Sequence, residues 1–270
     1  MTIWRCATTV LLFLSLAGGA SALQLRAPNV GRGGGLLGDD SARLQARDLG
    51  RRLGLPCVIG QVKYRGLTQT NAATFEVVCG EGGGYVLIDD PENRMVDCVA
   101  LERGPPASAC RLPGATDVTA AVRRHAASAG LTCTVDGGRA VGLSENGGLI
   151  YEAGCRGQAG AWLSSGAAGW NAVDCLRVEA RGDRCILTTD AERLTSLAAW
   201  VTAASCSPRA YRYMGESGQN TLYELTCVGG EGYVVRLDPA NRVQEAVACA
   251  GASHIGDGCR LQETADTSVD

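Results

Sequence analysis

The spacing of the cysteines constrains this chain more than any other feature. It holds 13 cysteines in 270 residues, and once Cys6 is set aside the other twelve fall into three sets of four. The first set is Cys57, Cys79, Cys98 and Cys110, with gaps of 22, 19 and 12 residues. The second is Cys133, Cys155, Cys175 and Cys185, with gaps of 22, 20 and 10. The third is Cys206, Cys227, Cys249 and Cys259, with gaps of 21, 22 and 10. A rhythm kept three times over is the mark of an internal repeat.

Other residues recur in step with the cysteines. Phe75-Glu76, Tyr151-Glu152 and Tyr223-Glu224 each precede a second cysteine by the same interval. A glycine-rich stretch follows that cysteine. The chain then resumes with an aromatic and aliphatic residues, as in Gly84-Tyr85-Val86-Leu87 and Gly232-Tyr233-Val234-Val235. A repeat of roughly 70 residues buries too little apolar surface to be comfortable alone, and cross-links make up the deficit. Close Cys-x-x-Cys pairs are absent, which disfavours zinc and a thioredoxin-like redox site. Four cysteines allow three pairings per repeat. The expected connectivity joins first with second and third with fourth: Cys57–Cys79, Cys98–Cys110, Cys133–Cys155, Cys175–Cys185, Cys206–Cys227 and Cys249–Cys259. The first pair would bridge neighbouring strands, and the second would close a short loop rich in Gly or Pro.

Hydrophobic periodicity places a helix at the start of each repeat. Ala42, Ala46, Leu49 and Leu53 recur at helical spacing, as do Val118, Val122, His125 and Ala129, and Leu194, Leu197 and Val201. Thr189 and Glu192 form a capping-box signature, and Gly54 and Gly130 stand where a helix should stop. In the third repeat, four strands are expected over 210–215, 222–228, 232–238 and 243–249. Strand alternation puts Phe75, Val77 and Cys79 on one face and Glu76 on the other. Residues 136–139 of the second repeat are expected to have lost strand character. The fold class expected is α+β: three tandem small disulfide-stapled modules, each a helix packed on a three- or four-stranded antiparallel sheet. This order of elements resembles small helix-on-sheet periplasmic modules such as PepSY domains, a likeness of topology that carries no function. The expected boundaries are a signal peptide at 1–22, a flexible leader at 23–40, modules at 41–114, 115–188 and 189–262, and a disordered tail at 263–270.

The signal peptide rests on a short start with Arg5, an apolar run over 7–16 and the small-x-small site Ala20-Ser21-Ala22. Export into an oxidising periplasm or extracellular space is therefore expected, with no membrane span after cleavage. The near-exclusive use of Arg as the basic residue, with Lys63 the only lysine, fits a GC-rich bacterial genome. The chain has 25 basic and 28 acidic residues, so loss of Arg5 leaves 24 against 28, a net charge of −4. That balance disfavours nucleic acid as a partner and gives no polybasic patch for a membrane.

Candidate sites are few. His125 takes the helix-stripe position held by Leu49 in the first repeat, and His254 lies in the last cysteine loop. Neither stands beside a serine or free cysteine, so no triad is expected. Asp89-Asp90 precedes Pro91 and reads as turn chemistry, repeated by Asp238-Pro239. Gly80-Glu81-Gly82-Gly83-Gly84 lies between strands and reads as a hairpin turn; a phosphate loop would need a helix after it. Glu76, Glu152 and Glu224 recur, and their expected role is pairing with cross-strand arginines or forming a repeated contact face. No catalytic residue, metal or cofactor is expected. The expected function is an exported, non-enzymatic binding or structural protein of the bacterial envelope. Its repeats would contact a protein or glycan partner. The alternatives are an inhibitor of secreted hydrolases, acting through the loop 251–258, and a carboxylate-based hydrolase.

Overall fold

A computed structural model describes residues 38–144, 148–166, 169–201 and 206–261. The signal peptide, most of the leader and the tail lie outside the described residues. Among those described, no helix is long and apolar enough to cross a membrane.

The chain folds into three four-stranded antiparallel sheets, each a simple meander in sequence order. The first follows α1 (Asp39–Arg52) and contains β1 (Ile59–Leu67), β2 (Ala73–Cys79), β3 (Gly84–Asp89) and β4 (Arg94–Asp97). The short helix α2 (Cys98–Leu101) comes next. The second sheet follows α3 (Val118–Ser128) and contains β5 (Val135–Leu143), β6 (Leu149–Cys155), β7 (Gln158–Gly166) and β8 (Gly169–Asp174), with α4 (Cys175–Ala180) after it. The third follows α5 (Asp190–Trp200) and contains β9 (Pro208–Ser217), β10 (Asn220–Cys227), β11 (Gly232–Leu237) and β12 (Val243–Ala248). A single 3-10 turn, Cys249–Gly251, stands where α2 and α4 stand in the earlier repeats.

Local chemistry explains the helix ends. Asp117 and Thr189 cap α3 and α5, and Thr189 with Glu192 closes a reciprocal capping box. Gly54 and Gly130 adopt φ of +65° and +73° just past α1 and α3. Leu55 N–H then reaches the Gly50 carbonyl, and Leu131 N–H the Ala126 carbonyl, closing the 6→1 bond of a Schellman turn at each end. α1 begins at Asp39, inside the stretch expected to be leader. Asp39 and Asp40 both lie in its first turn, where acidic side chains offset the positive end of the helix dipole.

One expectation about the strands is corrected. Residues 136–139 lie within β5, paired with β6 in regular register from Gly137↔Gly154 to Ala140↔Tyr151. Their glycines answer to packing: a Cβ on Gly138 would lie 2.9 Å from Val122 Cγ2, so α3 can lie on β5 only if that position is bare. The alternation expected of β2 holds, with Glu76 opposite Phe75, Val77 and Cys79, but its second face is covered as well. Five consecutive residues of β2, Phe75 to Cys79, are buried, so β2 is covered on both faces. One face carries Phe75, Val77 and Leu87 against Ala42, Ala46 and Leu49 of α1. The other carries Val78 against Cys98 and Ala115, and Val86 and Ile88 against Leu101. The loop between the third and fourth cysteines closes this second face. Six disulfides fasten the arrangement: Cys57–Cys79, Cys98–Cys110, Cys133–Cys155, Cys175–Cys185, Cys206–Cys227 and Cys249–Cys259. So dense a set belongs to an oxidising compartment.

Each sheet is joined to the next by an exchange of core residues. Within α2, Leu101 packs on its own sheet, but Val99 joins Val122, Tyr151 and Leu163 in the core of the second. α4 divides in the same way. Val178 packs with Cys175 and Cys185, while Leu176 joins Leu197, Tyr223 and Val235 in the core of the third. The β2–β3 turn adds to the first seam. Gly82 and Gly83 have φ of +88° and +68°, and a Cβ on Gly83 would lie 2.6 Å from Arg124 Nη2. Gly83→Ala is therefore expected to destabilise the chain by roughly 1–3 kcal/mol through both backbone strain and this clash. Chemical denaturation would read the loss. Gly218, whose φ is +66° but which has nothing within 4 Å, would show the strain alone.

Candidate functional site

The recurrent glutamates are buried anchors. Glu76, Glu152 and Glu224 are exposed by 1 %, 0 % and 0 %, respectively. Each projects from the central part of its sheet onto the face closed by the cysteine loop. Glu76 Oε1 accepts N–H from Arg111 (2.6 Å) and Leu112 (2.5 Å). Glu224 Oε1 accepts N–H from Arg260 (2.7 Å) and Leu261 (2.6 Å). Glu152 Oε1 accepts N–H from Leu187 (2.5 Å). In all three repeats the carboxylate holds the backbone that follows the fourth cysteine. The contact face expected on these residues is thus not offered to a partner: the carboxylates are spent inside the fold.

The second carboxylate oxygen meets an arginine across the sheet. Arg139, opposite Glu152, donates from Nε at 2.6 Å, and Arg212, opposite Glu224, does so at 2.7 Å. The first repeat differs. Lys63 is opposite Glu76, and the nearest cation is Arg65, 4.0 Å from Oε2. Arg65 instead donates to the carbonyls of Ala107 and Ser108 in the cysteine loop. The Glu-to-loop anchor occurs three times, but a hydrogen-bonded ion pair occurs only in the second and third repeats.

Sequence reasoning missed the polar cluster at the first seam. Asp97 caps α2 through Oδ1, which accepts Val99 N–H, while Oδ2 accepts the Tyr151 hydroxyl at 2.9 Å. His125 Nε2 lies 3.7 Å from the same oxygen, and its ring stacks on Trp170 at 3.7 Å between centroids. Arg124 lies over the Tyr85 ring and donates to the Gly82 carbonyl. Burial, reinforced by the Asp97 charge, raises the Tyr85 hydroxyl above its ordinary value and pushes that of Tyr151 well above the usual tyrosine range. His125 is thus a buried joint residue with aromatic and carboxylate neighbours. His254 is exposed on the last loop. Asp89 and Asp90 bind Arg52 and Arg94 at 2.7 and 2.5 Å.

The aromatic before each glutamate carries a signal that only the structure makes readable. Tyr151 presents its hydroxyl to Asp97 of the preceding repeat, and Tyr223 lies near the corresponding Asp174. Phe75 stands at this position in the first repeat, buried in the core beneath α1. The second seam adds bonds of its own: Arg177 donates to Asn241 Oδ1 (3.0 Å) and to the Asp238 carbonyl, and Asn241 Nδ2 donates to Asp174 (3.2 Å).

Among the described residues, two groupings bring a carboxylate close to two sulfurs: Glu152 with Cys175 and Cys185, and Glu224 with Cys249 and Cys259. In both, the sulfurs are joined to each other and offer no thiolate to a metal. A groove of about 550 Å³ on the third sheet is lined by Asn220, Arg236, Asp238, Arg242, Gln244 and Glu245. No protein-family model, no curated protein and no solved structure matches this chain.

Proposed function

We propose that the chain is an exported, non-enzymatic binding or structural protein of the bacterial cell envelope, built as a cross-linked scaffold that holds a protein or glycan partner. The observation that carries this reading is the internal use of the recurrent carboxylates. Glu76, Glu152 and Glu224 are the residues most consistently placed for acid–base work, and each is tied to backbone amides beneath a closed loop. A general acid or base needs reach to a substrate proton, and none of these has it. The disulfides and the shared cores favour a rigid presentation of surface over a catalytic cleft.

The proposal departs from a simple array of three equal contact faces. One end of the outer face of the first sheet is apolar and covered, whereas the same end of the third is polar and open. Contact with a partner is therefore concentrated on particular repeats. The test is co-sedimentation of the full oxidised chain with purified envelope material, split into protein-stripped cell wall and protein-containing membrane fractions. Saturable binding to one fraction, lost on disulfide reduction, is the expected result. Turnover of an envelope polymer or peptide by the purified chain would overturn the non-enzymatic reading.

A further inference from the structure

We propose that the groove on the third sheet is a binding site for a neutral carbohydrate, a role that the equivalent surface of the first sheet does not share. This deepens the binding reading above and rests on it. The strand registers supply the equivalence. Phe75 pairs with Leu87, Tyr151 with Leu163 and Tyr223 with Val235, so Ile88, Ser164 and Arg236 occupy the same position. Counting back three residues from the aromatic matches Ala72 with Asn220. Counting three on from the third cysteine matches Leu101 with Ala252.

In the first repeat these positions form one apolar cluster: Ala72, Ile88 and Leu101, exposed by 7 %, 1 % and 5 %, pack with Val86. The third repeat dismantles it. Alanine replaces the leucine that lay over the face, arginine replaces the isoleucine beneath it, and asparagine replaces alanine at the rim. The 3-10 turn Cys249–Gly251 also replaces the full turn of α2. The result is an open groove lined only by planar hydrogen-bonding side chains. A cluster that had merely lost its packing would leave an apolar hollow, whereas here polar residues were installed together.

The charges in the groove balance. Arg236 lies 3.4 Å from Glu245, and Arg242 lies 2.7 Å from Asp238. Neither an anion nor a cation is favoured by such a lining. The groups that remain are alternating amide, guanidinium and carboxylate edges, which suit a ligand carrying many hydroxyls. Arg236 Nε is a buried donor with no hydrogen-bond partner, which is costly unless something accepts from it. That atom is itself enclosed, but the side chain is 35 % exposed, and its outer N–H groups are offered to a sugar hydroxyl or ring oxygen in the groove. The groove is also held in shape from behind: Asp238 accepts N–H from Ala240 and Arg242, and its carbonyl accepts from Arg177 of the second repeat.

The test uses the full oxidised chain and NMR titration with cellohexaose, xylohexaose and laminarihexaose as neutral probes, and a hexamer of galacturonic acid as the anionic one. The expected result is binding of at least one neutral probe at millimolar concentration or below, with the largest shifts at Asn220, Arg236 and Gln244. Arg236→Ile, which restores the residue of the first repeat, should weaken it about tenfold or more, because a site built on planar polar groups loses its ligand when one is removed. Should that variant fail to fold, Gln244→Ala on the exposed rim serves instead. No shift with any neutral probe, preference for the acidic hexamer, or shifts confined to another sheet would overturn the proposal. Retained co-sedimentation with envelope material alongside those results would show that the glycan assignment fails while the binding reading stands.

Discussion

Glu152→Ala is expected to cost about 3–5 kcal/mol, the loss typical when one partner of a buried ion pair is removed. The side chain is fully buried, and two groups depend on it: Leu187 N–H, and the Arg139 guanidinium at 2.6 Å. Truncation leaves a buried donor unsatisfied and a cation without its counter-charge. Against a total stability of about 5–15 kcal/mol this is a large fraction. Urea denaturation of the oxidised chain would measure it. The first repeat supplies an internal comparison. Glu76→Gln keeps an oxygen for Arg111 and Leu112 and breaks no hydrogen-bonded ion pair, since Arg65 stands 4.0 Å away. Its cost should be clearly smaller than that of Glu152→Gln. Equal costs for the two Gln variants would mean that the Arg139 pair adds nothing, and a loss below about 1 kcal/mol for Glu152→Ala would mean that the loop is not anchored by the carboxylate.

Leu176→Ala is the second large effect, and its signature is where the damage appears. Leu176 belongs by sequence to the helix after the second sheet but is buried in the core of the third, 1 % exposed, beside Leu197, Tyr223 and Val235. Truncating a buried leucine costs roughly 2–5 kcal/mol through lost transfer energy and the cavity left behind. Hydrogen exchange should show the loss of protection in β10 and β11, not in β6 and β7. Protection lost mainly in the second sheet would show that α4 serves its own repeat.

The cysteine rhythm made the repeat legible because covalent spacing survives when the residues between drift. Caps and stops were legible for the same reason: Thr189, Gly54 and Gly130 act through their own backbone neighbours, which periodicity exposes. Burial on both faces of β2 was not. Alternation assumes one wet face, and nothing local in Phe75 to Cys79 announces the loop that covers the other. The glutamates illustrate the limit. Their recurrence marked them as important, and the pairing of Glu152 with Arg139 and of Glu224 with Arg212 follows from strand neighbours. Their main partners lie 35 to 37 residues downstream, in the backbone after the fourth cysteine, and a backbone amide leaves no trace in a sequence. The seams were hidden for a related reason. Val99 and Leu176 look like ordinary core residues, and which core they enter is a fact of tertiary structure. One trace could have been used: Tyr151 and Tyr223 carry a hydroxyl where Phe75 has none, and in the structure both lie by the aspartate that caps the preceding short helix.

The central claim is that the three sheets are one interlocked body, because each short helix completes the core of the next sheet. Differential scanning calorimetry of the full oxidised chain tests it most directly. Shared cores predict a single transition whose calorimetric and van't Hoff enthalpies agree, and Leu176→Ala should split or broaden it. Two or three separate transitions in the unaltered chain, with Leu176→Ala shifting only one and leaving the others in place, would contradict the claim.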